Sequence, residues 1–388
     1  MDFELTRTQQ DVQREVATLA RKFSLGYWRR KDALGEYPWE FARAFAEAGW
    51  MGVIVPEELG GLGLGMVEAA LLMREVARSG AGISGASAIH FSIFPAAPIL
   101  RHGSNAMQRA YLPAIARGEL LTAFGVTEPT AGTDTSRIST RAERQPDGHW
   151  VITGQKIWTT NAQNATHILL LTRTEPRDGS RPLAGMTLFF VPLDRSRCEI
   201  RRIDKLGRAA VDSNELFIDG LEASDDDVVG EVGQGFSCLV DGLNPERTLI
   251  AMESVGLGMA ALELATRYAK ERVVFGRPIG VNQAVAHPLA HSWACLQAAD
   301  LMALKAASLF DQGRPCGREA NTAKLLAAEA GFTACDAALQ VHGGFGYAKE
   351  FHIERLWREA RLFKIAPISQ EMVLNYLAAH VLGLPRSY

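Results

Sequence analysis

The order in which the hydrophobic pattern changes along the chain is the strongest constraint on its fold. From Thr6 to about residue 118, apolar residues recur at three- and four-residue spacing, as in the set Val12, Val16, Leu19, Ala20 and Phe23. This spacing places apolar side chains on one helical face and predicts an all-α N-terminal region. Further helices are predicted over residues 38–49, 66–77 and 104–117, the last with Ser104 as its N-cap.

The residue pattern changes from helical to β-strand type at about residue 119. Six short runs rich in β-branched and aromatic residues, separated by Gly, Pro and Asp turn signals, follow one another: LLTAFGV, HWVITGQKIW, HILLLTR, MTLFFVPL, CEIRRI and NELFID. Long helical patterns resume after about residue 230, and the Ala-rich stretch 319–339 is typical of close helix packing. The sequence therefore predicts an α+β protein of three domains: an all-α domain over 1–118, a β-barrel or sandwich over 119–230, and a four-helix bundle over 231–388.

Composition excludes several classes of function. The chain has 41 Lys and Arg against 44 Asp and Glu, so it lacks the basic field that nucleic-acid binding requires. Its five cysteines are far apart and contain no C-x-x-C, which predicts neither a disulfide framework nor a zinc site. His287 and His291 are spaced as two ligands on a helix, but no third ligand is evident, so no metal is expected. The polar N-terminus and the lack of a long uncharged apolar run predict a cytoplasmic protein without a membrane span.

Five motifs carry the candidate chemistry. FGVTEPTAGTDTS, residues 124–136, places hydroxyl groups at a strand-to-loop transition, and GQKIWTTNA, residues 154–162, sets a tryptophan beside hydrogen-bonding groups. Taken alone, the first segment is more typical of a β-turn, and the second is compatible with an ordinary strand. They are followed by ERTLIAMESVG, YAKERVVFGRPIGVNQ and VHGGFGYAKEFHIERLWREAR. In order and spacing, and over essentially the whole chain, the five motifs resemble the acyl-CoA dehydrogenase family.

The resemblance implies an FAD cofactor and assigns residues to it. Val126 and Thr127 correspond to groups that hold the flavin ring, with Thr133 near the pyrophosphate and the substrate. Trp158 and Thr160 correspond to residues that flank the ring and donate a hydrogen bond toward flavin N5, and Ser369 also falls in the cofactor site. Groups that reach the FAD of a neighbouring subunit correspond to Arg272, Phe275, Gln283, Gln340, Gly343 and Gly344. The resemblance thus implies a homotetramer built as a dimer of dimers, with electron transfer flavoprotein as the electron acceptor.

The reaction that the resemblance implies is α,β-desaturation of an acyl-CoA, in which a carboxylate removes the α-proton while a β-hydride moves to the flavin. Most members take this base from a Tyr-Glu-Gly-Thr stretch, but the aligned residues 366–369 here read Ala-Pro-Ile-Ser. The isovaleryl-CoA and long-chain types take it from the residue before a matching arginine, which predicts Glu246 as the base. Arg247, Ala366 and Pro367 are assigned to the substrate site.

Several alternatives remain open at this level. Glu246 is also compatible with an ion pair on an exposed helix start, where the helix dipole favours carboxylates. The helix start and Arg247 would lower its pKa, whereas burial would raise it. The enzyme class itself has two rivals: an O2-reactive oxidase or hydroxylase on the same fold, and a non-catalytic homologue that binds acyl thioesters. A carrier-protein thioester is a further alternative to CoA.

Pro367 and its neighbours raise two questions about the substrate. In the family a backbone N–H at the position of Pro367 helps to hold the thioester carbonyl, and proline has no N–H. Either the N–H of Ile368 replaces it, or the enzyme relies on a flavin hydroxyl group. The small side chains of Ala96, Ala97 and Ala366 are compatible with a bulky or branched acyl group.

Overall fold

The computed structural model describes residues 4–386, so residues 1–3 of the predicted first domain and 387–388 of the predicted third lie outside it. Six helices form the N-terminal region: α1 (Arg7–Ala20), α2 (Leu25–Leu34), α3 (Trp39–Glu47), α4 (Met66–Val76), α5 (Gly82–His102) and α6 (Asn105–Ala116). Capping explains two of their starts. The Thr6 side chain accepts from the Gln9 backbone N–H, and the Ser104 hydroxyl accepts from that of Met107 at 3.1 Å. The predicted N-cap at Ser104 is confirmed.

Helices α4 and α5 are joined by one π-helical turn, Ala77–Ala81. Gly80 adopts a left-handed φ of 94° there, and a Cβ at this position would lie 2.3 Å from the Leu25 side chain. Sixteen of the 21 residues of α5 are buried, and they lie on all sides of the helix over most of its length. The sequence does not predict α5 because a helix buried on all sides shows no polar stripe.

The middle region is one curled sheet of seven strands: β1 (Thr122–Gly125), β2 (Arg141–Arg144), β3 (Trp150–Thr160), β4 (His167–Arg173), β5 (Met186–Pro192), β6 (Cys198–Arg202) and β7 (Ser213–Ala223). The strand order is β1-β4-β2-β3-β7-β6, and β5 pairs with β4. All six β-rich runs of the sequence form strands. The seventh strand, β2, is missed because its RAER sequence is short and charged.

The C-terminal region is helical: α7 (Gly235–Glu271), α8 (Gln283–Asp311), α9 (Gly317–His342), α10 (Ile353–Ala360) and α11 (Gln370–Tyr376). A small hairpin, β8 (Val273–Val274) and β9 (Arg277–Pro278), separates α7 from α8. Close packing explains the small residues of these helices, since a Cβ on Gly258 of α7 would lie 3.0 Å from the Gly331 Cα of α9. The predicted α–β–α fold class is confirmed, whereas the boundaries at 118/119 and 230/231 stay predictions.

Two helical stretches, Met66–His102 and Gly235–Glu271, have the length and hydropathy of membrane-spanning helices. Most of each stretch is buried inside the protein. Both are therefore core helices of the fold, and α4, α5 and α7 pack against one another in a shared hydrophobic core.

Candidate active site

Glu246 lies on α7, eleven residues after the helix begins at Gly235. The expectation of a helix start is wrong, because the helix begins about three turns earlier, directly after the turn at Gly233. The dipole effect is confined to the first turn and does not act on Glu246. Its carboxylate makes no hydrogen bond or ion pair with any residue of the described range 4–386. The alternative interpretation, in which Glu246 forms an ion pair at the surface, therefore has no paired cation among the described residues to support it.

Burial raises the pKa of Glu246 to about 7. Positive charge on His90 and Arg247 opposes this rise, and the negative charge of Glu253 adds to it. The side chain keeps part of its surface accessible, although protein surrounds it on most sides. Of the two opposing effects that the sequence leaves open, burial is the larger. The site therefore contains a carboxyl group that exchanges its proton near neutral pH and has no protein partner.

A buried ion pair lies beside Glu246. His90 Nδ1 of α5 donates to Glu253 Oε1 of α7 at 2.6 Å, and the two residues are only 4% and 1% exposed. Burial lowers the pKa of His90, but the Glu253 carboxylate more than offsets this, so the net direction is upward. Sequence reasoning missed both residues. A signal existed for Glu253, because residues seven apart on a helix share a face and Glu253 follows Glu246 by seven.

The structure brings Arg247 close to the segment that replaces the usual glutamate. The buried Lys324 of α9 donates from Nζ to the Ile368 carbonyl at 2.5 Å, and burial together with the nearby Arg247 charge lowers the Lys324 pKa to about 8. Arg247 Nη1 donates to Asn244 Oδ1 at 3.0 Å. The N–H of Ile368 has no acceptor among the described residues.

The other three predicted residues of that segment differ in exposure and role. Pro367 is exposed and Ala366 is half-buried. Ser369 is the N-cap of α11, and its hydroxyl accepts from the Met372 backbone N–H at 3.4 Å. This hydrogen bond gives Ser369 a structural role that the sequence analysis did not assign.

A second ion pair fixes the loop that carries Val126 and Thr127. Lys156 Nζ of β3 donates to the Val126 carbonyl at 3.0 Å and to Glu128 Oε1 at 2.9 Å. Burial works against the ionised form of Glu128, but Lys156 and hydrogen bonds from the 139–140 segment lower its pKa to about 2. Burial lowers the pKa of Lys156 to about 8. Both residues belong to the quoted motifs, and neither was assigned a role from the sequence.

Trp158 departs from the usual conformation of a strand residue. Its φ is +63° and it is 55% exposed, at a bulge where the β3–β7 register shifts between Lys156 and Thr159. A left-handed, exposed tryptophan is costly, and such outliers concentrate at binding sites. The Trp158 indole and the hydroxyls of Thr127 and Thr133 make no hydrogen bond with the described part of the chain. The Ile157 N–H donates to the Thr127 carbonyl at 2.9 Å, so the exposed ring follows a residue bonded to the loop that carries these hydroxyls. An exposed flat ring next to a loop with free polar groups fits a large aromatic cofactor with a polar rim, as FAD is.

Thr160 has a partner that the sequence did not reveal. Arg208 Nη2 donates to Thr160 Oγ1 at 3.1 Å and to Ser213 Oγ at 2.9 Å, and Arg208 Nη1 donates to Ser87 Oγ at 3.2 Å. Because Oγ1 of Thr160 already accepts a hydrogen bond, the hydroxyl hydrogen is left to donate elsewhere. Arg208 has a φ of +58°, a second backbone outlier at this site.

The residues expected to reach a neighbouring subunit are exposed in the single chain. They are Arg272, Phe275, Gln283, Gln340, Gly343 and Gly344. Phe275 is 100% exposed at the tip of the β8–β9 hairpin, with a φ of +52°. The Arg272 guanidinium lies 5.6 Å from the ring centre of Phe345, so the hairpin and the segment after α9 are neighbours. No hydrogen bond or ring contact within residues 4–386 links these six to Val126, Thr127 or Thr160.

His287 and His291 are both exposed on α8, where His291 lies 3.8 Å from Cys295 Sγ. Within the described residues, no group of three or more His, Cys, Asp or Glu side chains is arranged to hold a metal ion. All five cysteines are unpaired.

Comparison with protein families matches three models to this chain. The N-terminal domain of acyl-CoA dehydrogenases matches residues 6–119, the middle domain 123–221 and the C-terminal domain 233–382. Together they cover nearly the whole chain.

Individual proteins match over the same extent. Acyl-CoA dehydrogenase FadE12 of Mycobacterium tuberculosis is 38% identical over 98% of this chain and 97% of its own length. The structure of a glutaryl-coenzyme A dehydrogenase in complex with glutaryl-CoA superimposes with a TM-score of 0.93 at 30% identity, over 100% of this chain and 98% of that one. A chain from a structure titled as the electron transferring flavoprotein of Acidaminococcus fermentans also has a TM-score of 0.93, at 29% identity over 98% of this chain and 100% of that one.

Proposed function

This chain belongs to the acyl-CoA dehydrogenase family of FAD-dependent oxidoreductases, and we propose that it desaturates an acyl-CoA at Cα–Cβ with Glu246 as the base. The environment of the Glu246 carboxyl group is the main support for assigning Glu246 as the base. It lies in a buried setting that raises its pKa to about 7, it retains an accessible edge, and it has no partner among the described residues. A structural carboxylate in such a setting would normally be paired.

The proton transfer follows from this pKa. A base is most effective when its pKa lies near the working pH, because a useful fraction is then deprotonated while the driving force for proton uptake remains large. Glu246 takes the α-proton, the electron pair of the α C–H bond forms the new double bond, and the β-hydrogen leaves as hydride. Bound FAD supplies the hydride acceptor.

We propose that Ile368 replaces the backbone donor that Pro367 lacks. Its N–H is free among the described residues, and Lys324 holds the carbonyl of the same residue at 2.5 Å. Removing one donor to a developing oxyanion costs roughly 2.7–4 kcal/mol in other enzymes, so a substitute has a clear advantage. The small Ala96, Ala97 and Ala366 are compatible with a bulky or branched acyl chain.

For the cofactor, we propose that Val126, Thr127, Thr133, Trp158, Thr160 and Ser369 hold FAD in one subunit. The six exposed residues from Arg272 to Gly344 would complete the site of a second copy, in a dimer of dimers. Their exposure supports this arrangement, because Phe275 has no contact partner that explains an apolar side chain at a hairpin tip. We further propose electron transfer flavoprotein as the electron acceptor and a reducing, cytoplasmic setting, which the five unpaired cysteines support.

The function is tested by mixing the purified flavoprotein anaerobically with straight, branched and aromatic acyl-CoAs while the absorbance of oxidised flavin is followed. The proposal predicts that at least one class of thioester bleaches the flavin and yields the 2-enoyl-CoA. Rapid reoxidation by O2 together with no response to thioesters would instead establish an oxidase. Bound FAD that no thioester reduces would establish the non-catalytic homologue, and bleaching only by a pantetheine-linked carrier protein would replace CoA as the substrate carrier.

A further inference from the structure

The face of α7 that carries Glu246 continues inward to a charged cluster. Glu253 lies seven residues further on the same face, which corresponds to about 10.5 Å along the helix axis. Glu246 keeps an accessible edge, whereas Glu253 is 1% exposed, so this direction leads from the surface into the protein. We call His90, Glu253 and Arg208 the polar floor.

His90 has an unused hydrogen-bonding atom at this depth. Its Nδ1 is occupied by Glu253 at 2.6 Å, and its Nε2 makes no hydrogen bond with any described residue. The side chain is 4% exposed. Nε2 is not one of the fully buried side-chain atoms that lack a partner, so part of it is open to water or to a ligand atom that can accept a hydrogen bond from it.

The surroundings of His90 favour an oxygen-bearing ligand. The buried Ser87 hydroxyl accepts from Arg208 Nη1, and Arg208 Nε is buried without a partner among the described residues. An aliphatic chain that reached His90 and Arg208 would exclude water from them without offering a hydrogen-bond acceptor in its place. A chain with an oxygen atom would satisfy at least one of them.

We propose that His90 recognises an uncharged oxygen on the acyl chain, so that the substrate is a short acyl-CoA with a hydroxyl or keto group about five carbons from the thioester end. This inference rests on the proposed function, because it takes the α-carbon to lie against Glu246. Among the charges that act on Glu246, that of His90 has a larger effect than that of Glu253, so His90 lies nearer to Glu246 than the helix rise of about 10.5 Å. We take a reach of about 5 Å, which an extended chain covers in about four bonds of ~1.5 Å, from C2 to an oxygen on C5.

Charge decides between a neutral oxygen and a carboxylate. His90 pairs with Glu253 at 2.6 Å, the charge of Glu253 also acts on Arg208, and Glu246 lies on the same face of α7 as Glu253. A substrate carboxylate would add a third acid to this confined region and repel the two already there. A hydroxyl or keto oxygen accepts the hydrogen bond without that repulsion.

Three thioesters of nearly equal shape test the proposal: 5-hydroxypentanoyl-CoA, hexanoyl-CoA and glutaryl-CoA. At the sixth atom of the chain they place a hydroxyl oxygen, a methyl carbon and a carboxylate oxygen, respectively. The proposal predicts that kcat/KM for 5-hydroxypentanoyl-CoA exceeds both others by about 10- to 100-fold, the range expected of one charge-assisted hydrogen bond. The comparison in the wild-type enzyme needs no variant and therefore does not depend on the folding of one.

The double variant His90→Phe/Glu253→Leu then removes both charges at once, which avoids leaving one of them buried alone. We expect it to lose the preference for the hydroxylated chain. The matched control is Arg74→Met/Glu75→Gln/Asp300→Leu, which removes the buried charges of a cluster in which Arg74 pairs with Glu75 at 3.1 Å and with Asp300 at 2.9 Å, and it should keep the preference.

Wild-type enzyme that reduces its flavin with hexanoyl-CoA or glutaryl-CoA as efficiently as with 5-hydroxypentanoyl-CoA would overturn the recognition by His90 and leave the dehydrogenase function intact. An unchanged preference in the His90→Phe/Glu253→Leu variant would also overturn it. Failure of every acyl-CoA to reduce the flavin would overturn the proposed function, and the inference with it.

Discussion

Replacing Glu253 by Gln should lower the pH at which the enzyme becomes active. Glu253 raises the pKa of Glu246 through its negative charge, and Glu246 must be deprotonated to act as a base. The activity therefore appears as the pH rises through the pKa of Glu246 and is lost below it. With that pKa at about 7, kcat/KM at pH 6 should be roughly a tenth of its plateau value.

The size of the shift follows from the helix geometry. Two unit charges separated by about 10.5 Å interact by roughly 1.6 kcal/mol at an effective dielectric constant of about 20. Since one pKa unit corresponds to 1.36 kcal/mol, Glu253→Gln should move the pKa of Glu246 down by about one unit. His90 opposes part of this shift, because without Glu253 its burial lowers its own pKa and weakens the positive charge that lowers the pKa of Glu246, so the net downward shift should be smaller than one unit.

The assay is the pH dependence of kcat/KM with one acyl-CoA, which reports the ionisation of the free enzyme. Glu263→Gln is the control, because Glu263 lies on the same helix but is exposed and pairs with Arg78 at 2.7 Å. We expect the control profile to superimpose on that of the wild type. A Glu253→Gln profile that is unshifted or moves to higher pH would refute the electrostatic coupling between Glu253 and Glu246.

Three further predictions concern the cofactor site and the assembly. Lys156→Met leaves the buried Glu128 carboxylate unpaired and should destabilise the protein by about 3–5 kcal/mol in urea unfolding, while Arg117→Met in an exposed pair should have no measurable effect. Arg208→Met should weaken FAD binding about tenfold or more in a fluorescence titration, because Thr160 loses its donor at 3.1 Å; unchanged affinity would show that Arg208 does not position Thr160. Phe275→Asp should reduce the assembly mass in light scattering, and an unaltered mass would remove the β8–β9 hairpin from the subunit interface.

The sequence predicts the fold well because its periodicities are local. The amphipathic helices and six of the seven strands follow from patterns within single segments, as does the Ser104 cap. Helix α2 escapes prediction because Trp28 is its only buried residue, helix α5 because it is buried on most sides, and β2 because it is short and charged. These failures arise where tertiary packing, rather than the local pattern, decides the structure.

The candidate site is only partly predictable for a different reason. Glu246 can be singled out from the order of motifs, but its pKa depends on burial, which no local pattern specifies. His90 reaches Glu253 from another helix 163 residues earlier in the chain, and Arg208 reaches Thr160 across 48 residues. Contacts of this range are products of the complete fold, so the sequence alone could not reveal the polar floor.

The measurement that tests the central claim most directly is the rate of flavin reduction in a single anaerobic turnover, compared between wild type, Glu246→Gln and the control Glu263→Gln. Glutamine keeps the shape of the side chain but cannot accept the α-proton. If Glu246 is the base, its replacement should slow flavin reduction by about 10²- to 10⁴-fold while acyl-CoA binding is retained, and Glu263→Gln should reduce its flavin at the wild-type rate. Equal rates in the wild type and Glu246→Gln would contradict the account and place the base elsewhere in the site.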